Sequence, residues 1–207
     1  MVVPVFDQSF YQVRLEWGID GLARLAPADV VVVVDVLRFT TAAADAAARG
    51  ESVPLDHSGS VNGAPLAAAA TGALVLAGSL RNASAVARAI LAEQKRLGGR
   101  VSVAVLPAGE RAKDAADAIR FSVEDQLGAG AIIAALGDLG IDHISPEAAV
   151  ACESFRTLRG AVRHLLTASG SGQELIERGL RDEVLHAAEL DAVDAVPVLR
   201  DGAFGPA

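Results

Sequence analysis

VVVVVDVLRFTT, residues 30 to 41, is the stretch that decides the fold. Its five consecutive valines are too few to cross a membrane, and their β-branched side chains favour a strand over a helix. A strand that is apolar on both faces is typical of the middle of a parallel sheet in an α/β protein. We therefore predict a central strand that ends at Asp35, and then a helix over the alanine-rich segment 42–49 that stops at Gly50.

Polar side chains follow this central strand directly. Ligands of open parallel sheets bind beyond the carboxyl ends of the strands, so these side chains lie where a site is expected. A carboxylate beside a guanidinium and two hydroxyl groups suits a divalent metal ion together with an oxyanion. Simple capping of the next helix by the carboxylate is the alternative, and it stays open at this point. The side chains are those of Asp35, Arg38, Thr40 and Thr41.

Composition and charge narrow the class of protein. The chain has 207 residues, 52% of them hydrophobic, yet no apolar run approaches the roughly 20 residues that span a bilayer. The first residues lack the basic region of a signal peptide, so we expect a soluble, cytoplasmic protein that does not bind membranes. The net charge is −8 and no basic cluster is present, which argues against nucleic acid as a partner. Whether the chain forms a homo-oligomer stays open.

Strands and helices alternate along the whole chain. No internal repeat, charge run or linker divides it, so we predict a single α/β domain over residues 1–207, with three layers (α/β/α) around a mostly parallel central sheet. The first two strands, 2–6 and 11–15, are candidates for an edge hairpin. Further strands are predicted at 52–55, 73–77, 101–106 and 196–199, and further helices at 65–70, 82–98, 123–136, 145–167, 171–179 and 182–190.

The start of the predicted helix 123–136 carries two adjacent acids. Ser122 and Asp125 stand at the spacing of a capping box, which places Glu124 and Asp125 in the first turn. Acids in a first turn are favoured by the helix dipole, so a purely structural role explains them well. Adjacent side chains point in different directions around a helix, however, and one acid can cap while the other reaches a site. A second capping box, Ser171 to Glu174, is predicted to open a short helix.

Familiar phosphate-handling and hydrolytic motifs do not fit the sequence. Aspartyl-phosphate phosphatases need a second aspartate two residues after the first, where this chain has Leu37. Cys152, the single cysteine, lacks the arginine of a cysteine phosphatase, since Leu158 stands at that position. Neither a P-loop nor a Gly-x-Ser-x-Gly elbow is present. What remains is hydrolysis assisted by an oxygen-ligated, hard metal ion and a water molecule.

Together, VDVLRFTT (34–41), GSLRNASAVA (78–87), FSVEDQLGAGAII (121–133) and SGQELIERGLRDEVLHAAELDAVDAVPVL (171–199) resemble the 2-phosphosulfolactate phosphatase family. The matching stretches occur in the family's order. The resemblance implies a family-specific α/β/α fold. It also implies magnesium-dependent hydrolysis of 2-phospho-3-sulfolactate, a small anionic phosphoester, to 3-sulfolactate and phosphate, a step of coenzyme M biosynthesis.

The resemblance also assigns roles to individual residues. It makes Asp35, Glu124 and Asp125 both catalytic residues and ligands of Mg²⁺, and Arg38 a catalytic residue that holds an anionic oxygen. An ion pair on the surface is the alternative for Arg38, and a plain N-cap is the alternative for Asn82. The implied substrate-binding residues are Thr40, Thr41, Asn62, Ser79, Arg81, Asn82, Gly109 and Glu110.

One region departs from the family pattern. Family members usually carry, before the third strand, a longer insertion with a Gly-Asn-Ser-Pro-type loop, and here only residues 51–72 fill that region. An Asn-Gly-Thr segment of the family is reduced to residues 61–64, which lack its hydroxyl groups. Two hypotheses follow. The chain is a magnesium-dependent phosphomonoester hydrolase for 2-phosphosulfolactate or another acidic phosphoester, or it is a noncatalytic anion-binding or interaction protein on the same fold.

Overall fold

A computed structural model of the protein describes residues 5–111 and 118–207. The strands are β1 Val13–Leu15, β2 Val30–Val34, β3 Val53–Pro54, β4 Leu74–Gly78, β5 Val103–Pro107, β6 Glu110–Arg111, β7 Ile119–Arg120, β8 Pro197–Arg200 and β9 Ala203–Pro206. The α-helices are α1 Gly18–Arg24, α2 Phe39–Ala48, α3 Gly63–Ala69, α4 Ala83–Leu97, α5 Val123–Asp138, α6 Pro146–Leu158, α7 Val162–Ala168, α8 Gly170–Glu177 and α9 Arg181–Ala187.

The central sheet runs in the order β1-β5-β2-β4-β8-β9-β3. Strands β1, β5, β2 and β4 are parallel to one another, whereas β8, β9 and β3 add antiparallel pairs at the other end. Strand β2 pairs along its full length with β4 on one edge and β5 on the other. The five valines therefore form an interior strand of a mixed, mostly parallel α/β sheet, as predicted.

Alternate valines of β2 point to opposite faces of the sheet. Val30, Val32 and Val34 belong to the core that packs against α4, α5 and α6, whereas Val31 and Val33 pack with residues of α2 and α3. All five side chains are buried. Burial of each is worth about 1.5–3 kcal/mol, which explains why this strand is apolar on both faces. The three-layer α/β/α architecture is confirmed.

The N-terminal edge differs from the prediction. Residues 5–7 form a 3₁₀ turn, and β1 pairs in parallel with β5 instead of forming a hairpin with the chain before it. The hairpin prediction is therefore wrong for the described residues, and the rest of its first strand, 2–4, lies outside them. Parallel pairing joins residues about 90 positions apart, and no short-range sequence signal marks such a pair.

Several C-terminal predictions also need correction. The predicted helix 145–167 is interrupted by a 3₁₀ turn at residues 159–161. Helix α8 is capped by Ser169, whose hydroxyl oxygen accepts a hydrogen bond from the Gly172 nitrogen, and not by Ser171. Strand β9, which pairs with β8 and β3, was not predicted. Residues 112–117, between the predicted strand 101–106 and the predicted helix 123–136, lie outside the described residues.

No helix within residues 5–111 and 118–207 combines the length and the hydropathy that crossing a bilayer requires. The longest, α5 and α4, instead contribute buried residues to the core beneath the sheet.

Helix α5 packs against α6 at a glycine. A Cβ atom on Gly130 would lie 2.1 Å from the carbonyl oxygen of Ala151 and 2.8 Å from Cβ of Phe155. A Cβ atom on Gly137, in the same helix, would meet only Nη2 of Arg156, at 3.7 Å. The close approach of the two helices therefore depends on the absence of a side chain at position 130.

We expect Gly130→Ala to lower the free energy of unfolding by about 1–3 kcal/mol or more, because the added methyl group forces the helices apart. Gly137→Ala is the matched control. It should leave stability unchanged or raise it by up to about 1 kcal/mol, since alanine is the better helix former. Urea unfolding of both variants measures the difference, and equal stability of the two would contradict the packing described.

Candidate active site

A cavity of about 450 Å³ opens beyond the carboxyl end of β2. Three of the predicted site residues, Asp35, Arg38 and Glu110, line it. The remaining walls come from α2, from the segment 58–61 and from side chains of α8 and α9. The cavity lies at the sheet edge where parallel α/β folds bind ligands, which is where the sequence predicts a site.

The Asp35 carboxylate is held by the loop before α3. Its Oδ2 accepts hydrogen bonds from the hydroxyl group of Ser60 (2.9 Å) and from the backbone nitrogen of Gly63 (3.1 Å). A Cβ atom at position 63 would lie 2.5 Å from this oxygen, so only glycine permits the approach. The loop therefore orients the carboxylate at the edge of the cavity.

The two threonines support the turn between β2 and α2 from inside the protein. The Thr40 hydroxyl donates to the carbonyl oxygen of Asp35 (2.9 Å) and accepts from its nitrogen (3.0 Å). The Thr41 hydroxyl donates to the carbonyl oxygen of Val36 (2.8 Å). Both side chains are buried and neither lines the cavity, so their contacts fix the backbone that carries Asp35.

Asp125 joins the ends of two strands. Its Oδ1 accepts a hydrogen bond from the nitrogen of Val36 (2.8 Å), and its Oδ2 accepts one from the nitrogen of Gly109 (3.0 Å). The predicted capping box is wrong, because α5 has no side-chain hydrogen bond at its N-cap, Ser122. The carboxylate that the local pattern assigned to the helix instead reaches the backbone that follows β2 and β5.

Four acidic side chains lie near one another at this edge of the sheet, those of Asp35, Glu110, Glu124 and Asp125. Burial raises the pKa of Asp35, and the charge of Glu110 adds to that rise. Burial also raises the pKa of Asp125 well above its ordinary value, with further contributions from the charges of Asp35 and Glu124. In the described part of the chain, none of these four carboxylates forms an ion pair with an arginine, lysine or histidine. The cluster thus favours a proton or a cation.

Arg38 lies three residues after Asp35 in the sequence and lines the cavity with it. Its guanidinium group forms an ion pair with Glu183 of α9, and both side chains are nearly half exposed. A second arginine, Arg178, also lines the cavity and forms no ion pair within the described residues. The surface ion pair considered as the alternative for Arg38 does exist, but it lies in the wall of the cavity.

The turn after β4 does not reach the cavity. Asn82 stands at the N-cap of α4 without a side-chain capping hydrogen bond there, so the plain N-cap role is not observed. Its Oδ1 instead accepts from the nitrogen (2.8 Å) and the hydroxyl group (3.0 Å) of Ser79 in a capping box. Buried Arg81 donates to Asp45 (3.0 Å) and also pairs with Glu189. The substrate-binding role of these residues stays a prediction that the cavity does not support.

Asn62 and Gly109 also lie outside the lining of the cavity. Oδ1 of Asn62 is buried and has no hydrogen-bond partner among the described residues. Gly109 adopts a φ of 70°, and a Cβ atom there would lie 2.4 Å from Cγ2 of Ile119. Its nitrogen binds Asp125, so its visible contribution is to the carboxylate cluster.

The predicted metal ligands are neighbours without forming a ready-made cage. Within residues 5–111 and 118–207, no group of three Asp, Glu, His or Cys side chains is arranged to hold a metal ion. Mg²⁺ is commonly held by one or two carboxylates, with water and phosphate oxygens completing its shell. Acidic side chains with raised pKa values and no cationic partner fit such an ion, so the donor set is compatible with Mg²⁺.

Residues that sequence reasoning missed complete the site. Ser60 and Gly63 hold Asp35, and Glu183 pairs with Arg38 across 145 positions. Short-range motifs carry no signal for contacts between distant segments. Gly63 lies in segment 51–72, which the sequence marked as short compared with the family pattern. Its position was therefore visible in the sequence, but its role was not.

Residues 60–202 match the family model described as 2-phosphosulpholactate phosphatase. The chain belongs to this family. The matched residues include Glu110, Glu124 and Asp125, whereas Asp35 and Arg38 precede the matched segment.

Three relatives, each named probable 2-phosphosulfolactate phosphatase, are similar in sequence to part of this chain. The one from Gloeobacter violaceus is 39% identical over 37% of this chain and 31% of its own length. The one from Carboxydothermus hydrogenoformans is 33% identical over 59% of this chain and 45% of its own. The one from Symbiobacterium thermophilum is 34% identical over 60% and 48%, respectively. The match thus spans less than half the length of each of these family members.

The raised pKa of Asp35 predicts how the stability of this family member depends on pH. The native state keeps a proton that the unfolded chain releases above its ordinary pKa of 3.8, so stability falls as the pH rises from there toward the raised pKa. The neutral variant Asp35→Asn avoids this loss. We therefore expect the stability of the wild type relative to Asp35→Asn to decrease between pH 4 and pH 7, by about 1.4 kcal/mol per unit of pKa elevation.

Thermal and urea unfolding across that pH range, without divalent metal ions, measures the difference. Asp142→Asn, at an exposed aspartate, is the control for the loss of one carboxylate. If the stability of the wild type relative to Asp35→Asn instead rises with pH, Asp35 is stabilised in its charged carboxylate form.

Proposed function

We propose that the chain is a phosphomonoester hydrolase that acts on 2-phosphosulfolactate or a closely related acidic phosphoester and requires Mg²⁺. The observation that supports it most is the cavity of about 450 Å³ in which Asp35 and Glu110 stand beside Arg38, in a member of the 2-phosphosulpholactate phosphatase family. In one cavity, the unpaired acids can bind a metal ion and the cationic side chain can bind a phosphoryl group, as a metal-assisted phosphoryl reaction requires.

Asp35 is the first candidate for binding Mg²⁺, because its carboxylate lines the cavity. Glu124 and Asp125 are the further candidates from the sequence, although both oxygens of Asp125 already accept backbone hydrogen bonds. When bound, the ion would neutralise charge on the phosphoryl group and promote the ionisation of water. In the overall reaction, water oxygen bonds to phosphorus, the ester P–O bond breaks, and the departing alcohol oxygen gains a proton.

Arg38 is positioned to bind an oxyanion in this reaction. Its guanidinium group offers several N–H donors in a planar arrangement that matches phosphate oxygens. In the structure it pairs with the exposed carboxylate of Glu183, so a phosphoester must compete with Glu183 for the same donors. The pair therefore sets part of the cost of substrate binding.

A location in the cytoplasm and a place in coenzyme M biosynthesis are further parts of this proposal. The first is expected from the sequence, and the second is implied by the resemblance.

The decisive measurement is release of inorganic phosphate from a panel that contains 2-phosphosulfolactate, phospholactate and 2-phosphoglycolate. We expect the wild type to release phosphate with MgCl₂ and not with EDTA. Asp35→Asn should lower the rate by at least about 100-fold, because a bound metal ion contributes several kcal/mol to catalysis. Asp142→Asn should retain the wild-type rate. Release from no member of the panel would contradict the proposal and favour a noncatalytic anion-binding protein.

A second prediction concerns the ion pair in the cavity wall. Glu183→Gln removes the internal competitor for Arg38, and exposed ion pairs are worth about 0.2–1 kcal/mol. We therefore expect KM to fall by roughly two- to fivefold, with kcat nearly unchanged. Glu177→Gln is the control for loss of one negative charge, because Glu177 is an exposed residue of α8 outside the cavity lining. Equal changes of KM in the two variants would show that only net charge matters.

A further inference from the structure

A second cavity, of about 260 Å³, adjoins the first. Glu110 and Ser171 line both cavities. The hydroxyl group of Ser171 donates a hydrogen bond of 3.1 Å to Oε2 of Glu110. The boundary between the two spaces therefore contains a contact between two side chains, and a ligand with two acidic groups can occupy both.

Two helices begin at the second cavity. The first turn of α5 contributes residues 122–124 to its lining, and the start of α8 contributes residues 169–171. The first N–H groups of a helix have no partner within that helix and carry the positive end of its dipole. Two such ends facing one space favour an anion.

Side chains add independent support for a ligand. Ser122 is only 6% exposed and lines this cavity, yet its hydroxyl group forms no hydrogen bond within the described part of the chain. The hydroxyl group is therefore available to donate a hydrogen bond to a ligand in the cavity.

Arg120 supplies a full positive charge to the second cavity. Its guanidinium group lies over Gly170, since a Cβ atom there would be 3.3 Å from Nη1 and 3.4 Å from Nη2. Arg120 forms no ion pair within residues 5–111 and 118–207. An arginine placed at two helix N-termini lies among like partial charges, which a bound anion would offset.

Two carboxylates, of Glu110 and Glu124, also line the second cavity. Both belong to the acidic cluster to which the proposed function assigns Mg²⁺, and the ion would offset their charge. The cavity thus has a cationic part, formed by Arg120 and the helix ends, and an acidic part that it shares with the cluster.

We propose that the second cavity is an oxyanion subsite for the acidic group of the substrate that is not transferred, a carboxylate or a sulfonate. The inference rests on the proposed function and assigns the substrate to phosphoesters that carry a second acidic group. Arg120 and Ser122 bind that group together with the first N–H groups of α5 and α8. Arg120 is in this view a specificity-determining residue.

Isothermal titration calorimetry with non-hydrolysable ligands tests the subsite, with MgCl₂ and with EDTA. Methylphosphonate carries one acidic group, whereas phosphonoacetate and 3-phosphonopropionate carry a second one at two different spacings. We expect the wild type to bind at least one of the two-acid ligands roughly 10- to 100-fold more tightly than methylphosphonate, as a charge-assisted contact allows. Arg120→Gln should remove most of this advantage and leave the affinity for methylphosphonate unchanged.

Further variants make the result specific. Ser122→Ala should lose a smaller part of the advantage. Arg163→Gln, at an exposed position of α7, should retain all of it. Thermal unfolding of each variant checks that the fold is intact. Loss of the advantage in Arg178→Gln but not in Arg120→Gln would place the second acidic group in the larger cavity and overturn the proposal.

Two outcomes separate this inference from the proposed function. If the wild type releases phosphate but shows no preference for two-acid ligands, the subsite is wrong and the phosphatase stands. If the preference depends on Arg120 but no phosphate is released, the oxyanion subsite stands and the phosphatase is wrong. Absence of any preference in the wild type, or its persistence in Arg120→Gln, overturns the subsite in either case.

Discussion

The carboxylate of Asp125 connects the elements from which the site is built. It extends from the first turn of α5 and accepts hydrogen bonds from the backbone nitrogens of Val36 and Gly109, which follow β2 and β5. Without it, two buried N–H groups would lack partners, at a cost of about 1–3 kcal/mol each. This one side chain therefore helps to fix the positions of Asp35 beyond β2 and of Glu110 after Gly109. The edge of the sheet becomes a site because a buried acid holds its loops together.

The same arrangement is costly for stability, and this cost separates the site from the rest of the protein. Hydrogen bonds from Ser102 lower the pKa of Asp29, and Arg96 lowers the pKa of Glu93. At the cavity, burial and mutual repulsion raise the pKa values of Asp35 and Asp125. Buried acids whose charged form destabilises the folded protein are characteristic of sites that bind a cation or handle a proton. The ion pairs of the surface show no comparable conflict.

The sequence predicted the parts of the molecule that depend on local patterns. A run of β-branched residues marked β2, and the end of that run marked Asp35. The capping box predicted from the spacing of Ser122 and Asp125 failed because it gave a local explanation for a long-range contact. Arg120, Glu183 and the parallel edge strand β1 acquire their roles only through segments far away in the chain. Periodicity and capping signals contain no information on such pairs, so the walls of the cavity could not be derived from them.

Residues 51–72 form the segment that the sequence predicts to be short compared with the family pattern. Nevertheless, this segment supplies the Ser60 hydroxyl group and the Gly63 nitrogen to the Asp35 carboxylate. It also contributes residues 58–61 to the wall of the larger cavity. Because Gly63 leaves no room for a side chain beside Asp35, the short segment approaches the carboxylate closely and is an integral part of the site. The segment predicted to depart from the family pattern therefore forms part of the cavity wall and supports the acid at its centre.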